Sequence, residues 1–322
     1  MLNRLKNALR LIVGAVVAVW AVSSLVGLVR AGPMEPWAPP GSTMKTVDAV
    51  EPRHPIWQPD SPGSFPIVIS QPGSYYLGEN ITGVAGEDGI EITSSDVTLD
   101  LNGFALTGVP NSLNGISGPG GGHNLSIYNG GIGNWGGDAI HASGAFLSEF
   151  RDLRVNHNFG NGVVAASEST VINVIAEDNL GIGIAAGQRS IVKDSVSSQN
   201  GDDGIYVGDN AMVENCSVTR NGGDGIHVGA ESLVVGNSVA WGTAGAGIHV
   251  TSTGSRIEAN NVVHTAQGID VDNVHNIIIK NTAWNATDYD IVAGNAVGAI
   301  IDCTGVAGCP SITADPWANF RY

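Results

Sequence analysis

A small residue followed by an aliphatic one returns at a near-constant interval along most of this chain. Gly89-Ile90, Gly115-Ile116, Ala139-Ile140, Gly162-Val163, Gly183-Ile184, Gly204-Ile205, Gly225-Ile226, Gly247-Ile248 and Gly268-Ile269 are separated by 26, 24, 23, 21, 21, 21, 22 and 21 residues, with a weaker copy at Asp290-Ile291. Self-similarity at such a period is the mark of a solenoid, in which each repeat buries its apolar face only against its neighbours.

Each period is too broken for helices. Gly204-Ile205-Tyr206-Val207 and Gly225-Ile226-His227-Val228 alternate apolar and polar, and second apolar stretches follow at Met212-Val213 and Leu233-Val234-Val235. Asn or Asp then heads a third stretch, at Asn173, Asp194, Asn215, Asn237 and Asn281. Short Val- and Ile-rich runs between Gly, Asn and Asp read as strands and turns. Three such strands per period predict a parallel β-helix, all-β, of about nine to ten coils of 21–26 residues. Ile205, Ile226, Ile248 and Ile269 should stack inward, with Asn forming ladders at the bends.

Composition fits. The 322 residues include 45 glycines, the hydrophobic share is 43% and charged residues make up 14%, so the chain has a core to bury but not the makeup of a helical bundle. A net charge of −16 with no basic run excludes nucleic acid as a natural partner.

The N-terminus carries Arg4, Lys6 and Arg10 before an apolar run from Leu11 to Val29, then Arg30-Ala31-Gly32. Residues 1–31 are expected to be a signal peptide cut after Ala31 or, if uncleaved, a membrane anchor and the chain's one membrane contact. Residues 32–64 hold eight of the 14 prolines and read as a Pro-rich linker. The β-helix is expected over 65–302 and a capping tail over 303–322. Export to the periplasm, cell surface or medium follows, and Cys303 and Cys309 are expected to pair there, leaving Cys216 as a small buried hydrophobe.

Residues 69–77 (Ile-Ser-Gln-Pro-Gly-Ser-Tyr-Tyr-Leu), Gly89-Ile90-Glu91-Ile92 and the Val97–Phe104 run resemble the first coils of right-handed parallel β-helix proteins of the pectate-lyase-like superfamily, including the β-helix family of nitrous-oxide-reductase maturation. The resemblance covers roughly residues 65–300 and implies right-handed winding. It is similar to exported bacterial members without an assigned reaction. Asp202-Asp203 resembles the Asp pair of polygalacturonase-like hydrolases, and His227 lies about one coil on. Here, however, Arg256-Ile257-Glu258 stands in place of Arg-Ile-Lys, and Ile182 stands where a further Asp is expected.

If Ile226 and Val228 point inward, His227 points out. The outward column then reads Glu91, Ser117, His141, Val164, Ala185, Tyr206, His227, His249 and Asp270. Asp203 and Asp224 fall one period apart beside it. Candidate catalytic residues are Asp202, Asp203, Asp224 and His227; candidate substrate-binding residues are Tyr206, His249 and Asp270. Adjacent carboxylates shift one another's pKa or take a cation between them, calcium being the candidate. The expectation is a monomeric protein that binds or processes a polysaccharide at the cell surface, as hydrolase or lyase if it is an enzyme. A non-catalytic surface scaffold or adhesin is the competing class.

Overall fold

The computed structural model describes Lys6, residues 52–304 and residues 315–322. The chain divides into Met1–Pro52 and Arg53–Tyr322; the second unit is the β-helix. The expected signal or anchor segment, most of the linker, and Cys309 lie outside the described residues. Cys303 is disulfide-bonded. Cys216 is a buried free thiol, pushed up to about 11 by burial.

Every pairing between named strands is parallel, and each strand pairs with its copy one coil on. One sheet has eleven strands, from Ile67–Ile69 to Thr287–Ile291, and the other has 21. With partial coils at the ends this gives about twelve turns, more than the nine to ten expected. The first and last rungs lack the Gly-Ile signature: Ile67 follows a proline and Tyr289 an aspartate. The fold also begins earlier than composition indicates. His54–Ile56, within the Pro-rich stretch, pairs with Tyr75–Leu77, and Ile56 is buried.

Three inward columns fill the core. Ile205, Ile226, Ile248 and Ile269 stack at 0% exposure, as expected, and Val213, Val234, Ile257 and Ile278 form the matching column of the second strand. Val218, Val239, Val262 and Ala283 form the third. Each buried aliphatic contributes roughly 1.5–3 kcal/mol.

Most corners follow one rule. An exposed or half-buried residue in the left-handed region is followed by an inward residue, often polar. Gln199 (φ 57°) precedes buried Asn200, Arg189 (φ 57°) precedes Ser190, and Lys280 (φ 59°) precedes Asn281. A left-handed turn costs a non-glycine residue about 1–2 kcal/mol. The inward amides offset this by bonding coil to coil. Asn158, Asn179, Asn200 and Asn221 are linked by Nδ2···Oδ1 bonds of 2.8, 2.9 and 3.0 Å. Asn237, Asn260, Asn281 and Asn319 are linked by bonds of 3.0, 3.0 and 3.1 Å. Asn319 belongs to the C-terminal strand Asn319–Arg321, which closes that end of the stack.

The ladder differs from the expected series. Asn173, Asp194 and Asn215 sit at the left-handed corner (φ 52°, 52° and 54°), not inside it. Their inward neighbours Val174, Ser195 and Cys216 are the rungs continued by Asn237. A 22-residue step from Asn215 to Asn237 moves the amide from the outer column to the inner one.

Candidate functional site

The outward column exists in full register. Val68, Glu91, Ser117, His141, Val164, Ala185, Tyr206, His227, His249, Asp270 and Asp290 are paired rung to rung through the eleven-stranded sheet. Tyr206 and His227 have ring centroids 5.0 Å apart, as do His227 and His249.

Asp203 and Asp224 come from the bend that feeds this sheet, and each divides its two oxygens between two duties. Oδ1 serves the scaffold: that of Asp203 accepts the Asp224 N–H at 2.7 Å, and that of Asp224 accepts the Ala246 N–H at 2.7 Å. Asn161 does the same earlier in the helix, accepting the Ile182 N–H at 2.7 Å. Oδ2 faces the imidazoles. Asp224 Oδ2 lies 3.2 Å from His227 Nδ1 and 2.7 Å from His249 Nδ1. Asp203 Oδ2 is 3.8 Å from His227 Nδ1. The far nitrogen of His249 meets Asp272 Oδ2 at 3.1 Å and Asp270 Oδ2 at 3.9 Å.

Six of the seven expected residues therefore converge. Asp202 does not: its side chain is exposed and makes no hydrogen bond among the described residues. Asp272 is a contributor that the sequence reading passed over. It lies two residues beyond Asp270, so strand alternation returns it to the same face. Arg256 and Glu258 pair with each other at 2.7 Å on the other sheet and take no part.

The charges are driven apart. The hydrogen bond that His249 donates to Asp224 pushes its imidazole up to about 9, against the opposing effect of burial and with help from Asp272. Burial raises Asp224, but the hydrogen bonds from His227, His249 and the Ala246 N–H outweigh it and hold the carboxyl well below the usual range. Asp203 is raised, first by burial and then by the Asp224 charge, against the pull of the Asp224 N–H and His227. Asp270 is raised by burial, against the charge of His249.

A pH dependence follows from the His249–Asp224 pair. A raised histidine gives its full stabilisation below about pH 6.5 and loses it as pH climbs through about 9. A depressed aspartate gives its share above the ordinary carboxylate range and loses it on acidification. The stability difference between wild type and His249→Gln should peak near pH 5–6, on the order of 2 kcal/mol, and shrink on both sides. Urea melts across pH measure it; a difference flat from pH 5 to 9 would contradict the pairing.

The Asp-x-x-His unit recurs at Asp138 and His141, with Nδ1···Oδ2 at 2.7 Å. There the neighbouring rungs are Ser117 and Val164, and the far nitrogen meets Ser143 Oγ at 3.1 Å. Two groups of donors are spaced to hold a metal ion: Asp224, His227 and His249, and His249, Asp270 and Asp272, each with its donor atoms within 4.8 Å of one another.

Stacked parallel coils with an outward strip of acids and imidazoles define a β-helix protein with a built surface site. The model of the right-handed β-helix region matches residues 68–228 and 114–264, and the chain belongs to that family. No curated protein matches it. Among solved structures it is similar to the A-module of mannuronan C-5 epimerase AlgE4 from Azotobacter vinelandii, at 15% identity and a TM-score of 0.60, covering 76% of this chain and 84% of that one. It is also similar to the Dettilon tailspike protein gp208, at 13% identity and a TM-score of 0.58, covering 84% and 61%. Both similarities show the fold.

Proposed function

We propose that this protein binds or processes a polysaccharide at the cell surface along the strip formed by Tyr206, His227, His249 and Asp270, with Asp203 and Asp224 behind it. The observation that carries the reading is the convergence of Oδ2 atoms and imidazoles on one register-locked column. Three rungs at strand spacing give a strip about 15 Å long, which suits an extended chain. Tyr206, 40% exposed, offers a ring for sugar stacking. Burial raises Asp203 while hydrogen bonds depress Asp224, an environment-driven split between neighbouring carboxyls of the kind on which acid–base chemistry depends. Asp203 is the proton donor in this reading, and His227 beside it is the partner that receives or relays the proton. A mannuronan epimerase among the structural neighbours supports a glycan role for such a fold. The disulfide at Cys303 supports an oxidising compartment and hence export.

The test is a polysaccharide binding and degradation screen with Asp203→Asn and His227→Ala. Each variant should lower turnover or affinity about tenfold or more, roughly 1.4 kcal/mol. Asn keeps the Oδ1 acceptor and removes a charge that burial disfavours, so Asp203→Asn should melt no lower than wild type. Wild-type behaviour in both folded variants would remove the strip and leave a non-catalytic scaffold or adhesin.

A further inference from the structure

We infer that Asp224 Oδ2, His227 Nδ1 and His249 Nδ1 form a three-ligand site for a divalent ion of the zinc type, with a fourth position open toward the glycan strip. The assignment rests on the glycan reading only for what the open position would take.

The donors come from successive parts of the stack and lie within 4.8 Å of one another. Tetrahedral zinc with bonds near 2.0–2.2 Å sets its ligand atoms roughly 3.3–3.5 Å apart. Asp224 and His227 stand 3.2 Å apart, almost at that spacing. Asp224 and His249 stand 2.7 Å apart and would open by about 0.6 Å as the shared proton is replaced by the ion. The supporting shell is in place. A metal-bound imidazole needs its other nitrogen held by an acceptor, and His249 Nε2 has Asp272 Oδ2 at 3.1 Å. Asp224 is likewise anchored, its Oδ1 on the Ala246 N–H. Asp203 Oδ2 lies 3.8 Å from His227 Nδ1 and adds a second carboxylate beside the ligand set.

The repeat supplies its own control. Asp138–His141 has the same local pairing, but Ser117 and Val164 flank it on the column, so no second imidazole arrives. What makes a ligand set at Asp224 is His249 on the next rung. Two nitrogens and one oxygen favour zinc and its first-row neighbours over calcium, which takes six to eight oxygens.

The experiment is metal binding by the purified protein, stripped with EDTA and dialysed against zinc at neutral pH. Elemental analysis should find one zinc per chain. His227→Ala and His249→Ala should each weaken binding more than tenfold, and Asp272→Ala, an exposed change outside the ladders, about tenfold. His141→Ala should leave stoichiometry and affinity unchanged, and equimolar calcium should not compete. Circular dichroism melts confirm that each variant is folded. No zinc on the wild type, full zinc retention by folded His249→Ala, or displacement by calcium would overturn the assignment. None of these readouts uses a glycan, so a failed polysaccharide screen and a failed metal site are told apart.

Discussion

Ile226→Asp should abolish cooperative folding. Ile226 has no exposed surface and lies between Ile205 and Ile248 in the central column. Aspartate there would either ionise without a partner or force the coil open, at a cost of several kcal/mol. That is comparable with the 5–15 kcal/mol by which a domain is ordinarily stable. In a solenoid the loss is worse than local, because each coil is stabilised by its neighbours and a broken coil separates two half-stacks. Ile226→Val, which removes one methylene, should cost only about 1 kcal/mol. Urea denaturation followed by circular dichroism separates the two, and a native-like transition in the aspartate variant would contradict the stacking.

The second large effect is expected at Asn260. Its Nδ2 donates to Val234 O and to Asn281 Oδ1, both at 3.0 Å, and its Oδ1 accepts from Asn237 N at 2.9 Å and Asn237 Nδ2 at 3.0 Å. Leucine is similar in size but would leave these partners buried and unpaired. At about 1–3 kcal/mol for each group, the loss should reach about 3–5 kcal/mol after relaxation. Asn215→Ala, at the exposed corner, tests the contrast and should cost about 1 kcal/mol, chiefly for the left-handed backbone. Equal melts for the two variants would show that the inner amides do not hold the coils together.

The register was legible because strand alternation and a constant period together fix which way each side chain points. Tyr206, His227, His249 and Asp270 could be placed on one column from spacing alone, since one inward isoleucine sets the phase for every coil. The corners were less legible. Asn and Asp tolerate the left-handed region, so Asn173 and Asp194 announce a bend, but Arg220, Trp241 and Lys280 hold the same backbone with no such signal. The choice between inner and outer Asn columns turned on a one-position shift of the Asn within a constant 21-residue register, with Gly236 taking the corner held by Asn215 one coil earlier. Asp202 was misleading because adjacency in sequence does not give a shared role: only Asp203 bonds to the backbone of Asp224, and Asp202 is exposed. Asp272 went unseen because it lies past the strand on which the column was counted.

The division of each aspartate between Oδ1 and Oδ2 has a consequence for how such a surface can be rewritten. At this rank the carbonyl-like oxygen accepts the next coil's backbone N–H whether the residue is Asp203 or Asn161. Exchanging one nitrogen for one oxygen at that rank arms or silences a coil while the winding stays the same. Chemistry is thus portable along the axis, one turn at a time. Asn161→Asp with Val164→His would carry the Asp138–His141 arrangement to the next turn, at the cost of the 2.9 Å bond that Asn161 Nδ2 donates to Asp138 Oδ1.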